Sequence, residues 1–433
     1  MRILHLTPGT GSFYCGSCLR DNALVKALRA RGHDAQMAPL YLPLVTDFEE
    51  VNPEQPVRVG GIGLYIQEKF PWFRFAPSWV KKFINSERNL RWAGSKIGMT
   101  SAKDLGVMTV GSLQGEAGRQ WPEWQSLIDW VLADMKPDVI CLSNALLMGL
   151  APTLAKAGIP VICSLQGEDA FLDTLIEPYR TQAWKLMVQN AKSVTRFVSP
   201  SKFYADTMAP RLGATEEQMS VVYNGIQSDA YLTDRQEPEI PTIGYLARMI
   251  HGKGLTTLIK AFIELTKRSS VPNVRLRVAG TKTAEDDPYL EGLRKQLSEA
   301  GVLDRVTFEA NLTFEEKRKF LSELTIFSVP ATYGEAFGLY IIEAQCSGVP
   351  VVQPKHGAFP ELVAATQGGV LCEPDDPVSL AAGLEELLLH PERRRQLSEA
   401  GKINAIALFS APKMAEAFEE LLENLKLAAV GAV

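Results

Sequence analysis

The 433-residue sequence holds only six cysteines and five histidines, and the cysteines stand at 15, 18, 141, 163, 346 and 372 with no repeating frame. That excludes a disulfide scaffold and suits buried thiols. A single CxxC, Cys15-Gly16-Ser17-Cys18, has no second cysteine pair or histidine pair nearby, so a structural zinc site would lack half its ligands. No apolar run approaches the ~20 residues that cross a bilayer, and MRILHLTPGT is too short in apolar residues for a secretion signal. A cytoplasmic chain is expected. Excess charge of one sign is also missing: the net charge of −5 gives no general attraction to nucleic acid. Gly9-Thr10-Gly11 lacks a third glycine, because Tyr14 holds that place, and no acidic residue closes MAPLYLPL, so the dinucleotide fingerprint is incomplete.

What the sequence does contain is alternation. Short Val/Ile/Leu-rich runs recur between amphipathic stretches from one end to the other, the pattern of parallel sheets covered by helices, and the fold class is α/β. The first half predicts strands at RILHLT, DAQMAPL, DVICLS, PVICSL, RFVSPS and SVVYNG; the second predicts them at TIGYLA, VRLRVAG, RVTFEA, TIFSVP and VPVVQP. Near residue 230 the polar segment DRQEPEIP, with two prolines, predicts a linker. Two doubly wound, Rossmann-like domains are therefore expected, 1–230 and 231–409, with a last helix over 410–433 packing back onto the first. Such sheets bind ligands beyond their carboxyl ends, so function is sought in a cleft between the domains and in loops that follow strands.

Two loops carry the chemistry. In TYGEAFGLYIIEAQCSGVPVV a helix opens near Phe337, so the backbone amides of Gly338, Leu339 and Tyr340 and the positive helix end form an anion site. Glu335 stands just before that helix and Glu343 two turns into it, spaced to meet one ligand rich in hydroxyls. In GYLARMIHGKGLTTLI, Arg248 and Lys253 flank a glycine-containing turn at the end of a strand, placing a guanidinium fork and a point charge where a diphosphate fits. The ligand these residues imply is a nucleoside diphosphate carrying a sugar-like group.

Arg248, Lys253, the E-x7-E pair, AQCSGVPVV, HGAFPELV and GGVLCEPDDPVSLAAGL together resemble the retaining glycosyltransferases of family 4, which have the GT-B fold. The resemblance is dense from Met219 to Leu388, including VVYNGIQSDAY at the hinge, and thinner in the first domain, where it rests on Leu4 to Cys18, KPDVICLSN and ICSLQGED. It implies two domains facing across a cleft and a nucleotide-sugar donor held mainly by the second, without metal or other cofactor. Arg248 and Lys253 would neutralise the leaving diphosphate, the amides of Gly338 to Tyr340 hold its oxygens, Glu343 bond the ribose and Glu335 the transferred sugar. Gly16, in the glycine-rich loop of the first domain, would approach the donor phosphate. Many members carry a histidine in the loop that here reads SLQGED; Gln166 takes its place, which leaves Glu168 and Asp169 as acceptor-side groups. Arg20, Asp21 and Asn22 on the turn after the CxxC are further acceptor contacts, and the acceptor itself is unidentified.

The resemblance leaves rival readings open: a GT-B epimerase or phosphorylase, and a sugar-binding protein without catalysis, which the loss of the histidine favours. For the CxxC a thioredoxin-like role competes with a glycine loop flanked by cysteines. One further segment stands apart. Residues 68–96 hold seven Lys/Arg against two Glu, with four Phe and three Trp. That composition suits a peripheral membrane contact or a platform for an anionic acceptor, and equally a helical hairpin packed on the first domain.

Overall fold

The computed structural model describes residues 1–9, 16–44, 56–86, 88–90, 102–232, 235, 237–268, 270–271 and 273–431. The chain forms two compact units, Met1–Tyr223 with Met414–Val433, and Asn224–Lys413. The units divide between Tyr223 and Asn224, ahead of the polar segment near 230. The physical reason lies in Ile226, which bridges to Ser410, donates to Phe409 O at 2.9 Å and accepts from Ala411 N at 2.7 Å, so that the chain is already part of the second unit there.

The first unit is built on six parallel strands: β1 Arg2–Thr7, β2 Asp34–Pro39, β3 Val139–Leu142, β4 Val161–Ser164, β5 Arg196–Ser199 and β6 Met219–Val221. Their order is β2-β1-β3-β4-β5-β6. β3 and β4 are buried along their whole length, which is why VICL and VICS read as continuous apolar runs rather than alternating ones. The helix Gly16–Ala30 follows β1 and buries Cys18, Leu24, Val25 and Leu28. The last helix, Ala411–Gly431, joins this unit from Met414 onward, where Glu419 accepts from His33 Nε2 at 2.9 Å and pairs with Arg31.

The second unit repeats the plan with β7 Thr242–Leu246, β8 Arg275–Gly280, β9 Val306–Ala310, β10 Ile326–Phe327, β11 Val351–Pro354 and β12 Gly369–Cys372, ordered β12-β11-β10-β7-β8-β9. The sequence predicts five strands here and the structure has six. β12 escapes because GVLC is short, half exposed along its edge, and held by its partner β11 rather than by any strong run of its own. Two helix starts in this unit are fixed by their own side chains. Thr313 and Glu316 form a reciprocal capping box, and Asp376 accepts from the amides of Val378 and Ser379 ahead of Pro377.

His5 lies on β1 with no exposed surface, its Nε2 3.5 Å from Asp21 Oδ1. Burial lowers its pKa from 6.5 to about 4, against the pull of Asp21 and with the help of Arg20. Because the unfolded chain takes up this proton below pH 6.5 and the folded chain does not until about 4, stability is complete above 6.5 and falls on acidification. Urea unfolding should show about 2 kcal/mol lost from this group between pH 6.5 and 5. The variant His5→Leu should lack that part of the slope; an unchanged slope would refute the assignment.

Candidate active site

The loop after β7 is short and tightly held. Met249 N donates to Thr281 O at 3.0 Å, a 3₁₀ turn spans His251–Lys253, and Gly254 starts the helix Leu255–Thr266. Gly254 has φ +74°, and a Cβ there would lie 1.7 Å from Pro330 O, so only glycine lets this turn press against the chain leaving β10. Thr332 N then donates to Gly252 O at 3.0 Å, which stitches the two loops together. Lys253 and Glu335 are thereby brought side by side.

Lys253 Nζ sits 2.5 Å from Glu335 Oε2, and the side chains are 18% and 14% exposed. Tyr340 OH donates to the same oxygen at 3.0 Å and Tyr333 OH at 3.3 Å, while the Lys253 ammonium lies 5.0 Å from the Tyr333 ring centre and 5.5 Å from that of Tyr340. Burial pulls Lys253 toward its neutral form, but the Glu335 carboxylate and Tyr333 outweigh it and the pKa rises. Burial and Glu335 push Tyr333 up to about 12, and the same two causes raise Tyr340 well above its ordinary value. The result is a permanently charged ammonium in a half-dry aromatic setting, where its field is worth more than in water.

Beside this pair the helix Leu339–Cys346 opens at Gly338, φ +104°, with no side-chain cap, so the amides of its first turn point out of its end. Arg248, just past β7, is exposed. Glu343, two turns into the helix, is only 7% exposed; its Oε1 accepts from Tyr231 OH at 2.9 Å and from Lys317 Nζ at 3.2 Å. Lys317 is itself 4% exposed, its ammonium 5.2 Å from the Phe314 ring centre and 5.4 Å from that of Tyr231. Each glutamate of the E-x7-E pair thus has its own lysine, with two tyrosines on Glu335 and one on Glu343. Lys317, Tyr231 and Tyr333 were not picked out by sequence: Lys317 sits in EEKRK, which reads as a solvated charge run, and burial alone sets it apart.

In the first unit β4 ends at Ser164 and Gly167, φ +96°, turns the chain into the helix Glu168–Leu172. Glu168 is 4% exposed and accepts from Ala145 N at 2.9 Å, Gln166 N at 2.8 Å and Tyr204 OH at 3.1 Å. Burial raises its pKa in spite of these bonds. Its carboxylate is buried and ties the loops after β3 and β4 together, where the sequence reading has it open to an acceptor. Asp169 shares the Tyr204 hydroxyl at 2.8 Å and lies 3.7 Å from Arg211. Gln166 is half-buried, held through its backbone amide by Glu168.

The expectation for Arg20, Asp21 and Asn22 is corrected too, because all three are at most 3% exposed. Arg20 reaches Ser164 Oγ at 3.2 Å and Ser143 O at 3.3 Å and pairs with Asp21 at 2.9 Å, bracing the ends of β3 and β4 from beneath. Gly16 is the first residue of its helix. Cys15 lies outside the described residues, and Cys18 is fully buried with its Sγ 3.3 Å from Thr7 Oγ1. Among the described residues no group of three or more His, Cys, Asp or Glu side chains could hold a metal.

Comparison with known proteins finds two family models, one after the other along the chain. A family model described as Glycosyltransferase Family 4 matches residues 105–230, and one described as Glycosyl transferases group 1 matches 233–404. The chain is 31% identical over 168 residues to a GDP-mannose-dependent alpha-(1-6)-phosphatidylinositol monomannoside mannosyltransferase of Mycolicibacterium smegmatis, covering 37% of this chain and 42% of the relative. It is 32% identical over 195 residues to a D-inositol 3-phosphate glycosyltransferase of Corynebacterium jeikeium, covering 44% and 46%. The matched region thus spans less than half the length of either relative. Among solved structures, sucrose-phosphate synthase of Thermosynechococcus elongatus superposes with a TM-score of 0.71 at 18% identity, covering 98% of this chain and 99% of that one. The Anabaena protein HepE in complex with UDP gives 0.67 at 17% identity, covering 98% and 100%.

Proposed function

Because the chain belongs to the family 4 glycosyltransferases and has the GT-B fold, we propose that it moves a sugar from a nucleoside diphosphate to an acceptor with retention of configuration and without a metal. The observation that carries this reading is the buried Lys253–Glu335 pair set beside the uncapped helix start at Gly338. A diphosphate entering there replaces Glu335 as the main partner of Lys253. The freed carboxylate is then left to accept from the hydroxyls of the sugar.

In the reaction the bond from the sugar C1 to the phosphate oxygen breaks, with its electron pair leaving on the diphosphate. Lys253, Arg248 and the amides of Gly338, Leu339 and Tyr340 stabilise that charge, the work a metal ion does in other transferases. The acceptor oxygen bonds to C1 on the face the diphosphate vacates, and its proton passes to a phosphate oxygen. Glu343, held by Lys317 and Tyr231, accepts from the ribose hydroxyls.

The test is a panel of UDP-, GDP-, ADP- and TDP-sugars that includes GDP-mannose, the donor named for one relative, and UDP-glucose. A donor at ~100 times its dissociation constant adds about 2.7 kcal/mol of stability, which is readable as a thermal shift. Slow donor hydrolysis that survives chelator, and an axial product anomer from an axial donor, are the expected results. No response to any donor would refute the reading.

Gln166 is assigned to the transferred sugar rather than to the nucleotide. Gln166→Ala should lower kcat about ten- to a hundredfold, the worth of one hydrogen bond to a charged transition state, with donor affinity changed less than threefold. Steady-state kinetics beside a direct binding isotherm separates the two. Equal losses in both would reassign the residue.

A further inference from the structure

The segment 61–90 of the first unit carries an exposed aromatic surface that the transfer reaction does not use. Phe70, Trp72, Phe75, Trp79 and Phe83 are 51%, 67%, 75%, 71% and 71% exposed, and no Phe, Tyr or Trp elsewhere is among the exposed large hydrophobic residues described. Phe70 immediately precedes the 3₁₀ turn Pro71–Phe75, which carries Trp72 and Phe75, and the helix Ser78–Ile84 carries Trp79 and Phe83 one helical turn apart on the same face.

These rings do not belong to a loose excursion of the chain. Phe73 is 5% exposed and turns inward, Gly63 N donates to Asn85 Oδ1 at 2.9 Å, and Gln120 Nε2 donates to Glu68 at 3.1 Å. Lys69 pairs with Asp104 at 3.0 Å and Lys81 with Glu123 at 2.8 Å, tying the base of the segment to the helices Ala102–Leu113 and Trp121–Trp130. The exposed rings therefore stand on a fixed platform, and a patch of this kind on a soluble face marks a docking surface.

Charge decides what docks. In sequence, residues 69–88 hold five Lys/Arg against one Glu in a chain of net charge −5; Lys69 and Lys81 are paired with Asp104 and Glu123, and Arg88 is exposed. A symmetric contact with a second copy would set this basic surface against itself. An anionic lipid surface offers the opposite charge and accepts Trp and Phe at headgroup depth. Among the described residues no helix is long and apolar enough to cross a membrane, and the two short elements suit a shallow seat.

We propose that the elements Pro71–Phe75 and Ser78–Ile84 dock the first unit on an anionic bilayer, with Trp72, Phe75, Trp79 and Phe83 in the headgroup layer and the exposed Arg88 on the lipid phosphates. The full chain is sedimented with phosphatidylcholine vesicles, and with vesicles in which about one lipid in four is phosphatidylglycerol. Binding at least tenfold stronger to the anionic vesicles, weakened by salt and accompanied by a blue shift of tryptophan emission, is expected. A W72S/W79S/F83S variant should lose at least tenfold in partitioning while keeping its melting temperature and its thermal response to donor. Absence of binding, equal binding to both vesicles, or full binding by the variant would overturn the proposal. So would a concentration-dependent dimer that the same three substitutions dissolve.

Discussion

Lys253→Ala is expected to lose donor binding by at least a hundredfold, with turnover below detection. The ammonium is largely buried and fixed, 2.5 Å from Glu335 and against two tyrosine rings. A point charge so placed contributes a few kcal/mol to holding a diphosphate, whereas Arg248 is exposed and screened. The substitution also strands the Glu335 carboxylate among Tyr333 and Tyr340, so the folded protein should lose stability as well. The double variant Lys253→Met with Glu335→Gln separates the two effects, because it removes the stranded charge. It should regain most of the melting temperature while donor binding stays absent; isothermal titration with the nucleoside diphosphate alone reads this. Wild-type affinity in either variant would contradict the diphosphate assignment.

The second large effect belongs to Lys317, which sequence alone would leave on the surface. Lys317→Met takes the ammonium away from Glu343 in a setting where both side chains are under 10% exposed. Removing one partner of a buried pair costs about 3 to 5 kcal/mol, whereas replacing both with apolar groups is often close to neutral. Chemical denaturation should therefore show a loss of about 3 kcal/mol or more for Lys317→Met and recovery in Lys317→Met with Glu343→Met. Neither variant should discriminate a ribonucleoside diphosphate from its 2′-deoxy counterpart as the parent does. A Lys317→Met protein of unchanged stability would show that the lysine is not held as described.

What could be read from the sequence was whatever short-range rules decide. Parallel strands buried on both faces have to be apolar runs, so β1, β3, β4, β7 and β8 were visible, and the caps at Thr313 and Asp376 follow from the chemistry of single side chains. The loops bearing Arg248, Lys253, Glu335 and Gly338 were found because glycine beside charge after a strand is a strong local signal. The misses are those where distant chain decides. Arg20 and Asp21 look like the wet face of a helix until Ser143 and Ser164 arrive from β3 and β4 to cover them. Glu168 looks like an acceptor contact until the amides of Ala145 and Gln166 and the Tyr204 hydroxyl turn it inward. The helix propensity of EEKRK says nothing about Tyr231 or Glu343, which together bury its lysine.

The return of Met414–Val433 to the first unit bears on how the protein is made. The second unit is one unbroken stretch, Asn224–Lys413, whose ends are clasped by the hydrogen bonds of Ile226 with Phe409 and Ala411. Its fold therefore closes with no residue beyond Lys413. The first unit, although synthesised first, waits for that helix to bring Glu419 to Arg31 and His33. Domains usually mature in the order they emerge. Here the later-made unit can close first, and a chain stopped near Lys413 would leave the earlier one with an uncovered flank for chaperones and proteases to find.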